Sequence, residues 1–209
     1  MRKKPTSSGF TLVELSIVLV IIGLIIGGVL SGRQIMENAE VTNALNSIQA
    51  YEAQFQTYTQ NYGAMPGDDP SAQTHFPDAG IPSEVAVSAG TLQGAFDSTT
   101  TNDETRLLWA DLRAAGLVKG TGNNTAQPAN PFGGIYGFQH GALGITTNVL
   151  CLSNVPGDAA VAIDSRLDDG NSATGAVQSI LTSSGEPTAG ATPAATYDSS
   201  QTYTMCVKM

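Results

Sequence analysis

The chain has 209 residues, enough for one domain of ordinary size plus a long helix. Hydrophobic residues make up 41%, so a packed core is available. Eighteen acidic against nine basic side chains give a net charge of −9, which excludes the basic stripe that dedicated nucleic-acid binding needs. The first predicted element is a short basic leader, with Arg2, Lys3 and Lys4 among the first nine residues. Without residues 1–9 the chain keeps six basic side chains, and its net charge falls to −12.

Phe10 to Leu30 is an apolar run of 21 residues. At ~1.5 Å per residue a helix of that length spans about 31 Å, the hydrocarbon thickness of a bilayer. Arg2, Lys3 and Lys4 precede the run, and Arg33 is the first cation after it. By the positive-inside rule the N-terminus stays in the cytoplasm and the rest is exported. A secretory signal peptide fits poorly. Its apolar core is shorter and ends in a small-x-small site, which Gly27 to Gly32 does not supply. A plain anchor leaves two features without a reason. Glu14 stands inside the apolar run, where a carboxylate costs about 3 kcal/mol on insertion scales. Gly9-Phe10 marks the step from polar leader to apolar run.

Together, Ser8-Gly9-Phe10-Thr11-Leu12-Val13-Glu14-Leu15 resembles the cleavage and methylation motif of the type IV pilin and pseudopilin family. The resemblance covers residues 3–60 closely and the remainder loosely. It implies that a prepilin peptidase cuts between Gly9 and Phe10 and methylates the new amine of Phe10. It also implies that Glu14 faces a neighbouring subunit's Phe10 amine within a filament, a pairing that offsets much of the desolvation cost. The divisions expected are a leader over 1–9, a transmembrane or filament-core helix over 10–32, an amphipathic spine over 33–62 and an exported head over 63–209. Many pilins have a proline in the hydrophobic helix, and this chain has none between Pro5 and Pro66. Gly23, Gly27, Gly28 and Gly32 serve either as points of helix weakness or as sites of close helix packing.

Val41, Leu45, Ile48, Tyr51, Phe55, Tyr58 and Tyr62 recur at spacings of three and four, so the helix continues with one apolar face. Gly63 and Pro66 end it. Residues 63–102 read as a long loop, in which Asp68 and Asp69 serve turns, with a cation site as the minor alternative. A second helix is expected from Asn102 to Gly120 with Trp109 in the core. Strands are expected at Ile135–His140, Leu143–Leu152, Thr174–Leu181 and Thr202–Lys208, with a short helix over Pro156–Leu167. Residues 182–200 read as a mobile or exposed loop. The fold class is therefore α+β and pilin-like, a long N-terminal helix packed by its second half on a C-terminal antiparallel sheet.

Cys151 and Cys206 are the only cysteines, and in an exported chain they are expected to pair. Asp164, Asp168, Asp169 and Asn171 surround an Asp-Gly turn with the oxygen ligands calcium prefers. The spacing does not match an EF-hand, and a helix stop followed by a turn is the preferred reading. His75 and His140 sit in no metal-binding pattern, and no nucleophile elbow or phosphate loop occurs, so no enzyme is expected. The function expected is a structural subunit of a type IV pilus or type II secretion pseudopilus. Its partners would be its own copies, other pilin subunits, prepilin peptidase, the inner-membrane assembly platform and, before assembly, the membrane. It would move from the inner membrane to a periplasmic or extracellular filament. The alternative is a bitopic membrane protein with an exported head that binds a ligand or surface.

Overall fold

The computed structural model describes residues 11–82 and 90–209. Gly9 and Phe10 therefore lie outside the described residues. Two compact units divide the chain, residues 1–39 and 40–209. Helix α1 (Leu12–Tyr62) contributes residues to both.

In the first unit every apolar side chain from Leu12 to Leu30 is exposed. Among the described residues α1 is the one helix long and apolar enough to cross a membrane. Such a helix closes its backbone hydrogen bonds internally and leaves its side chains for lipid or for other helices. The four glycines at 23, 27, 28 and 32 do not interrupt it, and an added Cβ at any of them would meet nothing within 4 Å.

In the second unit the apolar pattern narrows to one face. Val41, Ala44, Ile48, Phe55 and Tyr58 are buried. Leu45, Tyr51 and Tyr62 pack partly against the same core. The stripe read from the sequence is the face that packs, with Ala44 added where close approach favours a small side chain.

Glycine decides the turn that follows α1. Gly67 has φ +86°, and a Cβ there would lie 2.3 Å from the Glu104 carbonyl oxygen. Its amide donates to Asp111 Oδ2 at 2.7 Å, which pins the turn to the helix that carries Asp111. Within the expected loop the structure adds a one-turn helix, α2 (Ala72–His75). The next helix, α3 (Glu104–Ala114), is shorter than the expected Asn102–Gly120. Gly116 ends it at φ +72°. There the Leu117 amide returns to the Leu112 carbonyl and the Gly116 amide to the Arg113 carbonyl, the paired bonds of a Schellman stop.

The sheet contains β1 (Tyr136–Ala142), β2 (Ile145–Pro156), β3 (Val177–Leu181) and β4 (Thr202–Lys208). Helix α4 (Gly157–Leu167) follows β2. The order is β1-β2-β4-β3 and every pairing is antiparallel, so the C-terminal strand lies inside the sheet. The main core joins one sheet face to α1 and α3. Tyr51 stands edge-on to both Trp109 and Tyr136 at 5.1 Å, while Phe55 stacks on Phe138 at 5.5 Å. Trp109 is fully buried, as expected of a core residue.

An expected strand start needs correction: Leu143 forms the β1–β2 hairpin turn with Gly144, at φ +52°. It is apolar because the turn is covered rather than exposed: its amide donates to the Thr188 carbonyl, and that of Gly144 to the Ala189 carbonyl. Residues 182–200 are a mostly exposed loop, as expected, and are also tied along their backbone. Gln139 Nε2 donates to the Pro187 carbonyl at 2.9 Å, and the Ala194 amide donates to the Ser179 carbonyl at 2.7 Å. Small side chains suit that role, and Ala191, Ala194 and Tyr197 also pack against the core.

Candidate functional site

The N-terminal site begins at Thr11. Helix starts leave four amides without intrahelical partners. Here the Thr11 amide and the Thr11 hydroxyl both donate to Glu14 Oε2 at 2.8 Å. The Glu14 amide donates back to Thr11 Oγ1 at 3.2 Å. The pattern Thr-x-x-Glu is thus a reciprocal capping box, and the carboxylate sits where the helix dipole favours it. Sequence reasoning gave Glu14 a role between subunits and missed Thr11. The signal was present, since a threonine three residues before a glutamate at the head of an apolar run is the capping pattern. Chemically, the box holds one carboxylate at the first turn of an otherwise apolar helix and supplies two donors to it.

A second cluster lies at the end of α4. Asp164 is fully buried. Its Oδ2 accepts from the Tyr197 hydroxyl at 2.7 Å, and its Oδ1 from the Gly170 amide at 3.1 Å. Asp168 Oδ2 accepts from the amides of Ala176 and Val177, which fixes the approach to β3. Asp169 accepts from the Asn171 amide at 2.8 Å and the Thr174 hydroxyl at 2.7 Å. One oxygen from each of Asp164, Asp168 and Asp169 falls within 4.8 Å of the others. Asn171 Oδ1 accepts from the Ala173 amide at 3.1 Å. Burial pushes the Asp164 carboxyl up, the hydrogen bonds from Tyr197 and Gly170 oppose this, and the charges of Asp169 and Asp168 add to the rise. Asp169 moves the other way, lowered by the Thr174 hydroxyl and the Asn171 amide. Burial also raises the Tyr197 phenol. Three convergent hard oxygens suit a calcium ion, and the same three carboxylates already close the loop through hydrogen bonds.

The cysteines meet as a disulfide, Cys151–Cys206, which spans 55 residues of sequence. They are register partners on β2 and β4, with Cα atoms 4.0 Å apart. Both are fully buried in a satellite cluster with Phe96, Leu143, Val149 and Ile180.

Asp69 has a larger role than a local turn. Besides accepting from the Ser71 amide at 2.8 Å, it accepts from the Tyr58 hydroxyl at 2.9 Å and lies 3.0 Å from His75 Nδ1. This buried carboxylate therefore ties the loop and α2 to α1. Asp68 accepts from the Gly90 amide at 3.2 Å. His140 is exposed and pairs with Asn148 across β1 and β2 at 3.0 Å.

Residues 4–30 match the family model of the prokaryotic N-terminal methylation motif. No curated protein and no solved structure matches the chain. The matched span takes in Gly9, Phe10, Thr11 and Glu14, and it runs through the exposed apolar part of α1. The chain thus carries the prokaryotic N-terminal methylation motif ahead of an α+β, pilin-like architecture, consistent with the type IV pilin and pseudopilin family.

Proposed function

We propose that this chain is a structural subunit of a type IV pilus or type II secretion pseudopilus. The observation that carries the reading is the register of the motif: in the sequence Gly9, Phe10 and Glu14 stand at the head of an apolar run, and from Leu12 onward that run is a helix whose side chains to Leu30 are exposed. Prepilin peptidase cuts after Gly9 and methylates Phe10. The subunit waits in the inner membrane with its N-terminus at the cytoplasmic side and its head exported. An assembly platform then lifts it into a filament of its own copies and other pilin subunits. The role is mechanical rather than catalytic.

In this mechanism Glu14 changes partners. In the membrane its carboxylate is held by Thr11, which limits the cost of placing it among apolar side chains. In the filament it faces the Phe10 amine of a neighbour, and the cost of leaving either charge unpaired favours one axial stagger. The Asp164–Asn171 loop is first a turn, and calcium at Asp164, Asp168 and Asp169 reinforces it when present.

Two measurements test this reading. Mass spectrometry of the protein from peptidase-competent cells should show an N-terminal methylated Phe10. A chain that retains its leader would instead favour a bitopic anchor with an exported binding head. Glu14→Gln should be inserted and cut normally yet give little sheared filament when it is the only subunit present. Wild-type filament yield from this variant would remove the pairing step.

A further inference from the structure

Asn148 of β2 joins two side chains from distant parts of the chain. Its Nδ2 donates to Met65 Sδ at 3.4 Å, and its Oδ1 lies 3.0 Å from His140 Nδ1. A thioether sulfur and an amide oxygen can only accept. The amide therefore turns its nitrogen to Met65, and His140 carries its proton on Nδ1. In the neutral ring this leaves the lone pair on Nε2, at an exposed residue. Histidine ligands are commonly held in this way, one ring nitrogen donating to an oxygen and the other left for a metal.

The sheet adds a second sulfur. His140 and Asn148 are register partners on β1 and β2, and Val149 pairs with Lys208, so Met209 stands opposite Asn148 from the β4 side. The Met209 amide donates to the Asn148 carbonyl at 3.2 Å. Side chains alternate along a strand. Phe138, Leu150 and Val207, each two residues from one member of the row, lie in the main core, so His140, Asn148 and Met209 share that face. Met65 and Met209 both pack partly against the same core. A cavity of about 340 Å³ is lined by His140, Asn148 and Met209 and by Phe55 and Gln56 of α1. Among the described residues no acidic side chain lines it. Neighbouring strands lie about 4.8 Å apart and methionine is unbranched and flexible, so one imidazole and two thioethers can converge on a single ion beside Asn148.

We propose that His140, Met65 and Met209 form a binding site for a soft monovalent cation of the copper(I) class. Thioethers select soft cations, imidazole accepts copper as well, and calcium or magnesium would need the carboxylates this cavity lacks. No local spacing announces the site, because its ligands come from the turn after α1, the edge strand and the end of the last strand. The site does not depend on the filament reading.

Silver(I) tests it, since it shares the charge and softness of copper(I) and keeps its oxidation state in air. The full chain in detergent should take up one silver(I) ion by native mass spectrometry, shift the His140 ring signals in NMR and melt higher with silver(I) than without it. Cysteine does not compete, because Cys151 and Cys206 are joined and buried. Met65→Leu, Met209→Leu and His140→Gln should each weaken silver(I) binding about tenfold or more. Met36→Leu, at an exposed methionine earlier in α1, should leave it unchanged. Leucine conserves the volume of methionine, so the silver-free melting temperatures of these variants should stay close to wild type. Absence of silver(I) binding, undiminished binding in the Met65→Leu, Met209→Leu double variant, or an equal loss from Met36→Leu would overturn the site.

Discussion

Opening the Cys151–Cys206 bond should cost the folded chain about 4 kcal/mol. The bond closes a 55-residue loop, and the chain-entropy relation for a loop of that size gives ~4.2 kcal/mol at 25 °C. For a unit of 150–250 residues each kcal/mol moves the melting temperature by about 2–4 °C, so the expected fall is roughly 8–16 °C. Two perturbations separate the cross-link from the packing around it. Reducing the wild-type chain leaves both sulfurs in the cluster of Phe96, Leu143, Val149 and Ile180, so it removes the cross-link alone. The double variant Cys151→Ala, Cys206→Ala also removes two buried sulfur atoms and should be slightly less stable than the reduced chain. Thermal and urea unfolding of the full chain in detergent, read by far-ultraviolet circular dichroism, would measure both. A loss below about 1 kcal/mol on reduction would refute the reasoning, because it would mean that β2–β4 pairing already holds the loop ends together in the unfolded ensemble.

The other expectations are more local. Gly67→Ala should destabilise the chain by about 2–4 kcal/mol in urea unfolding, because φ +86° is strained for alanine and the new Cβ meets the Glu104 carbonyl and Leu108. An unchanged midpoint would show that the turn can shift away from α3. Thr11→Val removes the hydroxyl that accepts from the Glu14 amide and donates to its carboxylate, and should weaken the start of α1 by about 1 kcal/mol. Faster amide exchange confined to the first turn would show this, and unchanged exchange would count against the box. Asp164 and Glu52 have carboxyls raised by burial, so they oppose folding when charged. Their penalty is present above the raised folded values and disappears as pH falls through those values towards the ordinary carboxylate range. Calcium-free chain should therefore gain stability from these two groups on mild acidification, and Asp164→Asn should flatten the profile. Calcium should raise the melting temperature at neutral pH, lose that effect in Asp168→Ala, and lose it again on acidification as the ligands protonate. Identical melting with calcium and with chelator would leave the loop as a turn alone.

Much of this fold could be read from local patterns, because the forces that set it are local. Spacings of three and four placed the stripe from Val41 to Tyr62, and β-branched and aromatic runs placed the strands to within a few residues. Errors arose where a distant partner decides the outcome. Leu143 looks like a strand residue by its own chemistry, yet it turns because carbonyls of residues 188 and 189 receive the two hairpin amides. The loop from 182 to 200 is exposed as its composition suggests, but its tie to Gln139, 48 residues from Pro187 in sequence, has no local signal. Thr11 is legible as a cap from the Thr-x-x-Glu spacing alone, since both partners lie within one helical turn.

Strand order is the feature that local pattern could not give, and it bears directly on the disulfide. Two cysteines 55 residues apart can sit on neighbouring strands, on distant ones or in loops. Here β4 enters between β2 and β3, so the last strand of the chain supplies pairing edges for both. Until Thr202–Lys208 arrives, β1 and β2 can form a hairpin, but β3 has no neighbour within the sheet. The insertion of β4 brings Cys206 opposite Cys151 and Tyr203, Met205 and Val207 into the core that α1 and α3 complete. Closing the core thus waits on contacts distant in sequence, which are the slow ones to form. A cross-link at the β2–β4 pair secures the strand on which the rest of the sheet depends, whereas the same bond on the β1 edge would secure a hairpin already held by its own turn.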